Sequence, residues 1–438
     1  METERTPLEP ERTGFGTHHE PHPSELIDSG TVNNDISIKE LRAAIPAHCF
    51  EPSLFWSFFY LFRDLTYSSI LLLALKYGLA LPQVKESNIL YYGLVSSYGL
   101  CQGIVWTGLW VIAHDAGHSG FSKSSTLNDT VGFILHSFLL APYFSWKSSH
   151  RRHHIYANNM EKDLNYVPPM RNEYARSIGV AVEKIEEVGE DAPAFLFLRI
   201  ILQQLIGWNW YILSNITTPD TAVVKKGLSV WRYSHFDPWG GMFRDSEVWS
   251  IILSDIGCGA LLTGLYFLKQ YVGSWGLVFW IYVVPWSVVN HFIVMITYLH
   301  HTHPDVPKYS AENWTFIRGA TATIDREFGI IGTHFFHHIS SDHVTHHLFS
   351  SIPHYWSREA SNAIIPLLGN HYHGHGTFTY NDLKTSFRDC QFVDEDAEKD
   401  KKFGLGNGSE RKKQALWYRK GTSPSPEFHQ RKAPLIKV

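Results

Sequence analysis

Four long apolar stretches run through the chain, and polar sequence separates them into two pairs. The stretches are residues 54–75, 89–113, 248–268 and 277–299. Each is close to the roughly 20 residues with which a helix crosses the hydrocarbon core of a bilayer. Only short connections, 76–88 and 269–276, join the members of each pair. The pattern therefore predicts an all-α integral membrane protein with four transmembrane helices in two hairpins.

Two shorter apolar runs need a different interpretation. Residues 131–146 are too few to span a bilayer comfortably, and they include Pro142. Residues 195–213 contain polar side chains such as Arg199 and Gln203. This mixture favours an amphipathic helix lying at the membrane surface. Neither run is predicted to cross the membrane.

The two ends of the chain differ in composition from its middle. Residues 1–37 are rich in Glu, Pro, Thr and Ser and contain no apolar run, so we predict a disordered cytosolic N-terminal arm. Residues 391–438 are also polar, and we expect them to form a mobile C-terminal tail. The folded domain is therefore predicted to span residues 38–390.

Composition narrows the partners and the chemistry. The formal net charge of −4 provides no basic field, so no nucleic-acid partner is expected. The four cysteines are scattered without a CxxC pair, which argues against a disulfide scaffold or a thiolate metal site. Histidine, by contrast, occurs 26 times, which is far more often than structural roles require.

Three histidine clusters adjoin the apolar stretches. HDAGH begins at His114, HRRHH begins at His150 and HVTHH begins at His343. Spacings of three and four residues place imidazoles on one face of a helix. Imidazole is a good ligand for iron, zinc and copper. Because eight histidines exceed the coordination of a single ion, the clusters predict a site for two metals.

A shared site also constrains the topology. The three clusters must lie on one side of the membrane, so an even number of crossings has to separate them. Four spans satisfy this condition, with two of them between the second and third clusters. The loops that carry the clusters have an excess of Lys and Arg, which places them in the cytosol. We therefore expect a cytosolic helical cap that holds the metals.

Residues near the clusters extend the predicted site. His301, in the HHTH segment that ends the fourth apolar stretch, is the candidate for a ninth ligand. Asp115, Asp325 and Asp342 lie beside the clusters or near them in the sequence, where a carboxylate could orient a ligand histidine through its second ring nitrogen.

Other histidines are interpreted as structural. His136 lies in an apolar run and is expected to be a hydrogen-bonded core residue. The run that contains His371, His373 and His375 is expected to be a solvated loop.

The ordered set HDAGH, HRRHH and HVTHHLFS resembles the histidine boxes of membrane fatty-acid desaturases, specifically the delta-12/omega-3 branch of plants and fungi. The likeness extends to IKELRAAIPAHCF (38–50), TYLHHTHPDVPKY (297–309) and FIRGATATIDREFG (316–329). It covers roughly residues 38–390 and suggests a fungal protein of the oleate desaturase type.

The resemblance implies a di-iron centre that uses O2 to introduce a cis double bond at delta-12 of oleoyl chains, giving linoleoyl chains. The substrate would be a phospholipid-linked acyl chain or an acyl-CoA. Electrons would come from cytochrome b5 and its NADH-dependent reductase, and no HPGG haem signature occurs in this chain. The family also implies residence in the endoplasmic reticulum membrane with both termini cytosolic. The implied iron ligands are His114, His118, His150, His153, His154, His301, His343, His346 and His347.

Several alternatives stay open. The acidic second residue of the first box, Asp115, resembles omega-3 enzymes, whereas Ala116 matches neither branch. Acetylenases and hydroxylases share the same scaffold. A histidine-rich membrane metal transporter or sensor is a more distant alternative, because its ligands should lie within the bilayer and these boxes lie just beyond the apolar stretches.

Overall fold

The protein is described by a computed structural model over residues 36–177, 179–182, 193–215, 217–402 and 415–418. All but the last two residues of the predicted N-terminal arm lie outside the described residues. The described chain is mostly helical, with four short strands. The helices are α1 Ile38–Ala44, α2 Leu54–Ala80, α3 Pro82–Glu86, α4 Asn88–Gly117, α5 Ser125–Phe138, α6 Tyr143–Tyr156, α7 Arg171–Ser177, α8 Pro193–Ser214, α9 Val248–Val272, α10 Trp275–His301, α11 Phe316–Thr321, α12 His343–Leu348, α13 His354–Leu368, α14 Tyr380–Asp389 and α15 Ala397–Lys402. The strands are β1 Asp325–Glu327, β2 Gly374–Thr377, β3 Val393–Glu395 and β4 Leu416–Tyr418.

Four helices, α2, α4, α9 and α10, are long and apolar enough to cross a membrane. They coincide with the four predicted stretches and extend each of them by a few residues. Helix α4 is the most buried of the four. Two glycines allow it to approach α10 closely, because a Cβ at Gly103 would lie 2.4 Å from Cβ of Val288 and a Cβ at Gly99 would lie 2.5 Å from Val284.

Helix α10 contains a π-helical turn at Phe279–Val283, one turn before Pro285. Proline has no N–H, so the carbonyl four residues earlier, on Ile281, loses its usual helical donor. The hydroxyl of Tyr98 on α4 donates to that carbonyl at 3.2 Å. The irregular turn is therefore tied to the neighbouring helix, and regular helix resumes up to His301.

Outside the long helices, a second hydrophobic core joins the N-terminal segment to the third histidine box. Ile38 and Leu41 of α1 and Cys49 pack in the same cluster as Val344 and Leu348 of α12. Helix α1 begins at a capping box in which Ser37 and Glu40 bond to each other's backbone N–H. Apolar contacts with the N-terminal segment therefore hold the short helix that carries the third box.

The histidine run near residue 373 is not the solvated loop that was expected. His373 is buried, and its carbonyl accepts a hydrogen bond from Asp325 N–H at 2.9 Å. The following residues form strand β2, which pairs with β1 in parallel. The run is therefore built into the part of the fold that carries the third box.

The expected mobile tail also differs from the structure over its described part. Strand β4 pairs with β3 in antiparallel register, and Trp417 and Tyr418 are buried. The side chain of Lys399 donates to the carbonyl of Tyr418 at 3.2 Å. A short apolar LWY segment inside polar sequence thus packs on the folded domain, so ordered structure extends past residue 390.

Candidate metal centre

The nine predicted ligand histidines come from four separate helices and converge. Helix α4 ends at the first box, α6 carries the second box, α10 ends at His301 and α12 carries the third box. Two of the predicted boxes lie on helices, as their spacing requires, and in the first box His118 caps the end of α4. All nine side chains are buried.

The imidazoles form two adjoining groups, within each of which the nearest ring nitrogens all lie within 4.8 Å of one another. The first group is His114, His118, His150, His154 and His346, and the second is His153, His301 and His347. His343 adjoins the second group, because its Nε2 lies 3.1 Å from Nε2 of His347 and 3.3 Å from Nε2 of His301. The rings of His154 and His347 stack at 4.2 Å between centroids and connect the two groups.

Three of these histidines have an acceptor at the outer ring nitrogen. Nδ1 of His153 lies 2.7 Å from Oδ1 of Asp163. Nδ1 of His114 lies 3.3 Å from Oδ1 of Asp115, and Nδ1 of His343 lies 3.2 Å from a backbone carbonyl. An acceptor at Nδ1 holds the proton there and leaves the Nε2 lone pair free for a metal.

The spacing of the inner nitrogens fits metal binding better than hydrogen bonding. Contacts between Nε2 atoms link His153 to His301 at 3.3 Å, His301 to His343 at 3.3 Å and His343 to His347 at 3.1 Å. One imidazole nitrogen makes one hydrogen bond, either as donor or as acceptor, so this chain cannot satisfy all three contacts. Two nitrogens bound to one ion at about 2.1 Å would stand about 3.0–3.4 Å apart.

Buried nitrogens without partners support the same conclusion. Neither ring nitrogen of His118 has a hydrogen-bond partner, and the same is true of Nε2 of His346. Burial lowers the pKa of His150 and His154 well below the ordinary value, and neighbouring imidazoles lower it further. These side chains are therefore neutral and offer lone pairs, which is the form that binds a metal.

The three predicted carboxylates have different positions. Asp115 contacts His114, as expected. Asp325 instead accepts from the backbone N–H of Val344 at 2.8 Å and from the hydroxyl of Tyr372 at 2.9 Å. These two bonds hold the backbone at the start of α12.

Asp342 contacts Arg358 through its carboxylate at 3.1 Å. Its backbone carbonyl accepts from His346 N–H at 3.0 Å. The carboxylate that holds His153, Asp163, was not predicted, because it reaches the ring through a turn at Asn158 with φ of 62°. Asp163 also accepts from Asn158 N–H at 3.0 Å, which closes that turn.

His301 and its neighbour His300 differ in the contacts of their rings, and His301 is the one grouped with His153 and His347. Nδ1 of His300 bonds to the carbonyl of Ile324, and its ring lies 4.4 Å from the ring of His343. His301 instead contacts both His153 and His343 through Nε2. His136, expected in the core, is fully buried, lies 3.4 Å from the Trp110 carbonyl through Nε2 and stacks on the Trp110 ring.

Comparison with known proteins agrees with this chemistry. Residues 87–379, about two thirds of the chain, match the family described as fatty acid desaturase. The chain belongs to the fatty acid desaturase family. It is an oxidoreductase that acts on acyl lipids, and the predicted family is confirmed.

Three proteins with similar sequences show which activities occur among the relatives of this chain. An oleate hydroxylase of Claviceps purpurea is 40% identical over 407 residues, which cover 89% of this chain and 83% of the relative. A delta(12)-fatty-acid desaturase of Arabidopsis thaliana is 40% identical over 371 residues, or 84% of this chain and 90% of the relative. An omega-6 fatty acid desaturase, endoplasmic reticulum, of Brassica juncea is 38% identical over 371 residues, with the same two coverages.

A cavity of about 750 Å³ in this desaturase reaches the metal centre. His150, His153 and His301 form part of its wall, and Trp110 and Tyr298 line it from α4 and α10. Its size is within the range of about 300–1,000 Å³ that is usual for small-molecule sites. Aromatic side chains of the second and fourth long apolar helices therefore line the cavity beside the histidines.

Helix α8 forms most of another wall of the cavity, which the sequence did not indicate. Gly207 and Trp208 line the cavity from this helix. The outward face is apolar, with Phe197 and Leu205 exposed, whereas Gln204 is buried. An exposed apolar face suits contact with lipid. The expected amphipathic helix is therefore present, with its polar side directed toward the protein.

Proposed function

We propose that the protein is an O2-dependent di-iron desaturase that introduces a cis double bond at delta-12 of oleoyl chains and yields linoleoyl chains. The observation that carries the proposal is the pair of adjoining imidazole groups at the wall of a mainly apolar cavity. The delta-12 position is supported by relatives that bear that activity in their names and match over most of their length.

Nine histidines would hold the metals. One iron would be bound by His114, His118, His150, His154 and His346, and the other by His153, His301, His343 and His347. When bound, an iron pair supplies O2-dependent oxidation of unactivated C–H bonds. Neutral imidazoles leave the ions with a high positive charge, and Asp115 and Asp163 lie behind one ligand of each group.

The chain's own contribution is to position the acyl chain and to exclude water. His150, His153 and His301 are the ligands that border the cavity, so a methylene held there lies beside both metal groups. Trp110 and Trp208 close that part of the cavity with large apolar surfaces. Accurate placement matters, because displacements near 1 Å cost reactivity of about 100-fold.

Hydroxylation at the same carbon is the second candidate, and one observation favours it. The oleate hydroxylase of Claviceps purpurea matches 89% of this chain at 40% identity. Hydroxylation and desaturation both begin by removing hydrogen from a methylene, so the arrangement of ligands supports either outcome. Omega-3 desaturation requires only a different depth of the acyl chain in the same cavity.

Location and partners follow from the same proposal. We place the protein in the endoplasmic reticulum membrane, which the name of the Brassica juncea relative supports, as a multi-pass protein with cytosolic termini on the basis of the Lys and Arg excess in the loops. Cytochrome b5 with its NADH-dependent reductase would donate the electrons. The substrate would be an oleoyl chain on a phospholipid or on coenzyme A.

The test is expression in yeast, which makes oleate but no linoleate, followed by fatty-acid methyl ester profiling. We expect linoleate without added substrate. A 12-hydroxy product would instead identify a hydroxylase, and a triene formed only from fed linoleate would identify an omega-3 enzyme. His154→Ala and His347→Ala should abolish product, whereas the exposed His48→Ala should not. Purified protein with exchangeable zinc or copper and no iron would favour a transporter or sensor.

A further inference from the structure

Asp115, in the first histidine box, is held from both sides. Its Oδ1 lies 3.3 Å from Nδ1 of His114. Its Oδ2 accepts from the backbone N–H of His354 at 3.0 Å and lies 3.0 Å from Nδ1 of the same residue. Asp115 and His354 are both buried. One histidine at the start of α13 therefore provides both hydrogen bonds on the side of the carboxylate that faces away from the metal centre.

These contacts determine the proton positions. An ionised carboxylate only accepts hydrogen bonds, so Nδ1 of His354 is the donor to Asp115, and Nε2 of His354 is left as a buried nitrogen without a partner. Two donors at Oδ2 leave Oδ1 to accept from Nδ1 of His114. His114 then presents the Nε2 lone pair to the other imidazoles of the first group.

A further layer supports the ring of His354. The ring of His337 packs against it at 4.5 Å between centroids, and Nε2 of His337 lies 2.7 Å from Oδ2 of Asp64 on the first span. Asp64 in turn pairs with Arg63 at 2.8 Å. His337 has φ of 49°, a conformation that a non-glycine residue adopts rarely and that surrounding contacts must hold in place.

We propose that His354 is a positioning residue for the metal centre: through Asp115 it fixes the tautomer and the direction of His114, and the Asp64–His337 pair keeps its ring in place. The inference rests on the proposed iron site and extends it to a residue outside the three boxes. The Arg63–Asp64 pair in the first apolar stretch would then support the metal site through His337 and His354. Removing a partner in the outer shell of a metal site typically lowers metal affinity by about 10–100-fold.

Two substitutions of His354 distinguish the contribution of its Nδ1–H from that of the packing of its ring. His354→Phe keeps the packing of the ring against His337 and Tyr60 but removes the Nδ1–H. His354→Asn loses the ring but keeps an N–H near the position of Nδ1. The matched control is His48→Phe, at a half-exposed histidine that contacts the same helix through Glu359.

The experiment uses the full-length protein purified in detergent and measures iron per chain, iron affinity in competition with a chelator, and thermal unfolding of the metal-free protein. We expect His354→Phe to weaken iron binding about 10–100-fold while the metal-free protein unfolds at the wild-type temperature. His354→Asn should bind iron nearly as the wild type does. Adding His354→Phe to Asp115→Asn should cause little further loss, because both act through one contact.

Other results would overturn the proposal. Wild-type iron affinity in His354→Phe would show that the Nδ1–H is not needed. Loss in the Asn variant alone would show that the ring acts by packing. Equal loss in the Phe and Asn variants would show that an N–H near the position of Nδ1 is not enough to hold Asp115. A wild-type protein that binds no iron would instead contradict the proposed function, so the two failures are distinguishable.

Discussion

Asp163 holds His153 by a hydrogen bond of 2.7 Å between Oδ1 and Nδ1, and both side chains are buried. Ten residues separate them in the chain, and the turn between them is closed by the second oxygen of the same carboxylate. In the first group Asp115 makes the corresponding contact with His114 at 3.3 Å. Each proposed iron therefore has one ligand whose outer nitrogen faces a carboxylate.

Replacing Asp163 should weaken the second metal group selectively. Asp163→Asn keeps the shape of the side chain but offers His153 a neutral acceptor, so iron affinity there should fall by about 10–100-fold. Iron per chain, measured after dialysis against a weak chelator, should fall from two toward one. Asp245→Asn, at a largely exposed carboxylate, is the control. Two tightly held irons in Asp163→Asn would contradict this assignment.

Filling the cavity should lower turnover without removing iron. A Cβ at Gly207 would lie 3.1 Å from Gln203 Cγ and 3.5 Å from Val294 Cγ2, so a larger side chain must extend along the cavity wall. We expect Gly207→Leu to reduce product at least about tenfold, since small misplacements of substrate are costly. Iron content should not change.

The control for this cavity substitution is Gly259→Leu on α9, where a side chain meets nothing within 4 Å. Product yield from oleate in yeast and iron in the purified protein are the two measurements. Full activity of Gly207→Leu would show that this wall does not contact the acyl chain.

The proposed topology can be tested at two turns of the same kind. Gly227 and Gly273 both have positive φ, of 78° and 77°, and both have open space around them, so short insertions should be tolerated. The residues just before Gly227 contact the second-box helix, because Arg152 on that helix donates to the carbonyl of Ala222. An inserted glycosylation acceptor should be modified at Gly273 and not at Gly227. Modification at Gly227 would place the boxes on the lumenal side.

The buried His373 should make stability depend on pH. Burial, with a smaller contribution from His371, lowers the pKa of His373 to about 4 from an ordinary value of 6.5. The unfolded chain therefore binds a proton at higher pH than the folded protein does. The contribution of His373 to stability is complete above pH 6.5 and is lost as the pH falls toward 4.

Thermal unfolding of the metal-free protein at pH 7 and pH 5 measures this effect. The loss of stability between the two values should be smaller in His373→Gln than in the wild type. The control variant His48→Gln, at an exposed histidine, should lose as much stability between pH 7 and pH 5 as the wild type does. An equal loss in His373→Gln would mean that His373 is protonated as easily in the folded protein as in the unfolded chain.

The four long apolar helices and the convergence of the histidines could be predicted from the sequence because each has a local pattern. A run of about 20 apolar residues identifies a membrane helix by composition alone, and α2 begins at the predicted residue Leu54. The histidines repeat at helical spacing, so HRRHH and HVTHH indicated one face of a helix without further information. His301 was identified by its position at the end of the fourth span.

The remaining features depend on contacts between distant segments. Asp163 reaches His153 only through a left-handed turn, and His354 reaches Asp115 across 239 positions of sequence. Helix α8 has the expected mixture of polar and apolar residues, but composition does not tell which face meets lipid. Trp417 is buried because β4 pairs with β3, and strand pairing of this kind leaves no local signal.

The π-helical turn at Phe279–Val283 determines how the rest of α10 is rotated about its axis, in addition to the hydrogen bonds of the turn itself. A π turn holds about one residue more than an α turn, which rotates everything after it by about 100° around the helix axis. His301 lies about twenty residues further on, roughly 30 Å along α10. Exchanging one apolar side chain for another in this stretch leaves the rotation unchanged, whereas changing the number of residues alters it. A deletion of one residue there would nearly preserve hydrophobicity and helix length and still rotate His301 away from His153 and His343.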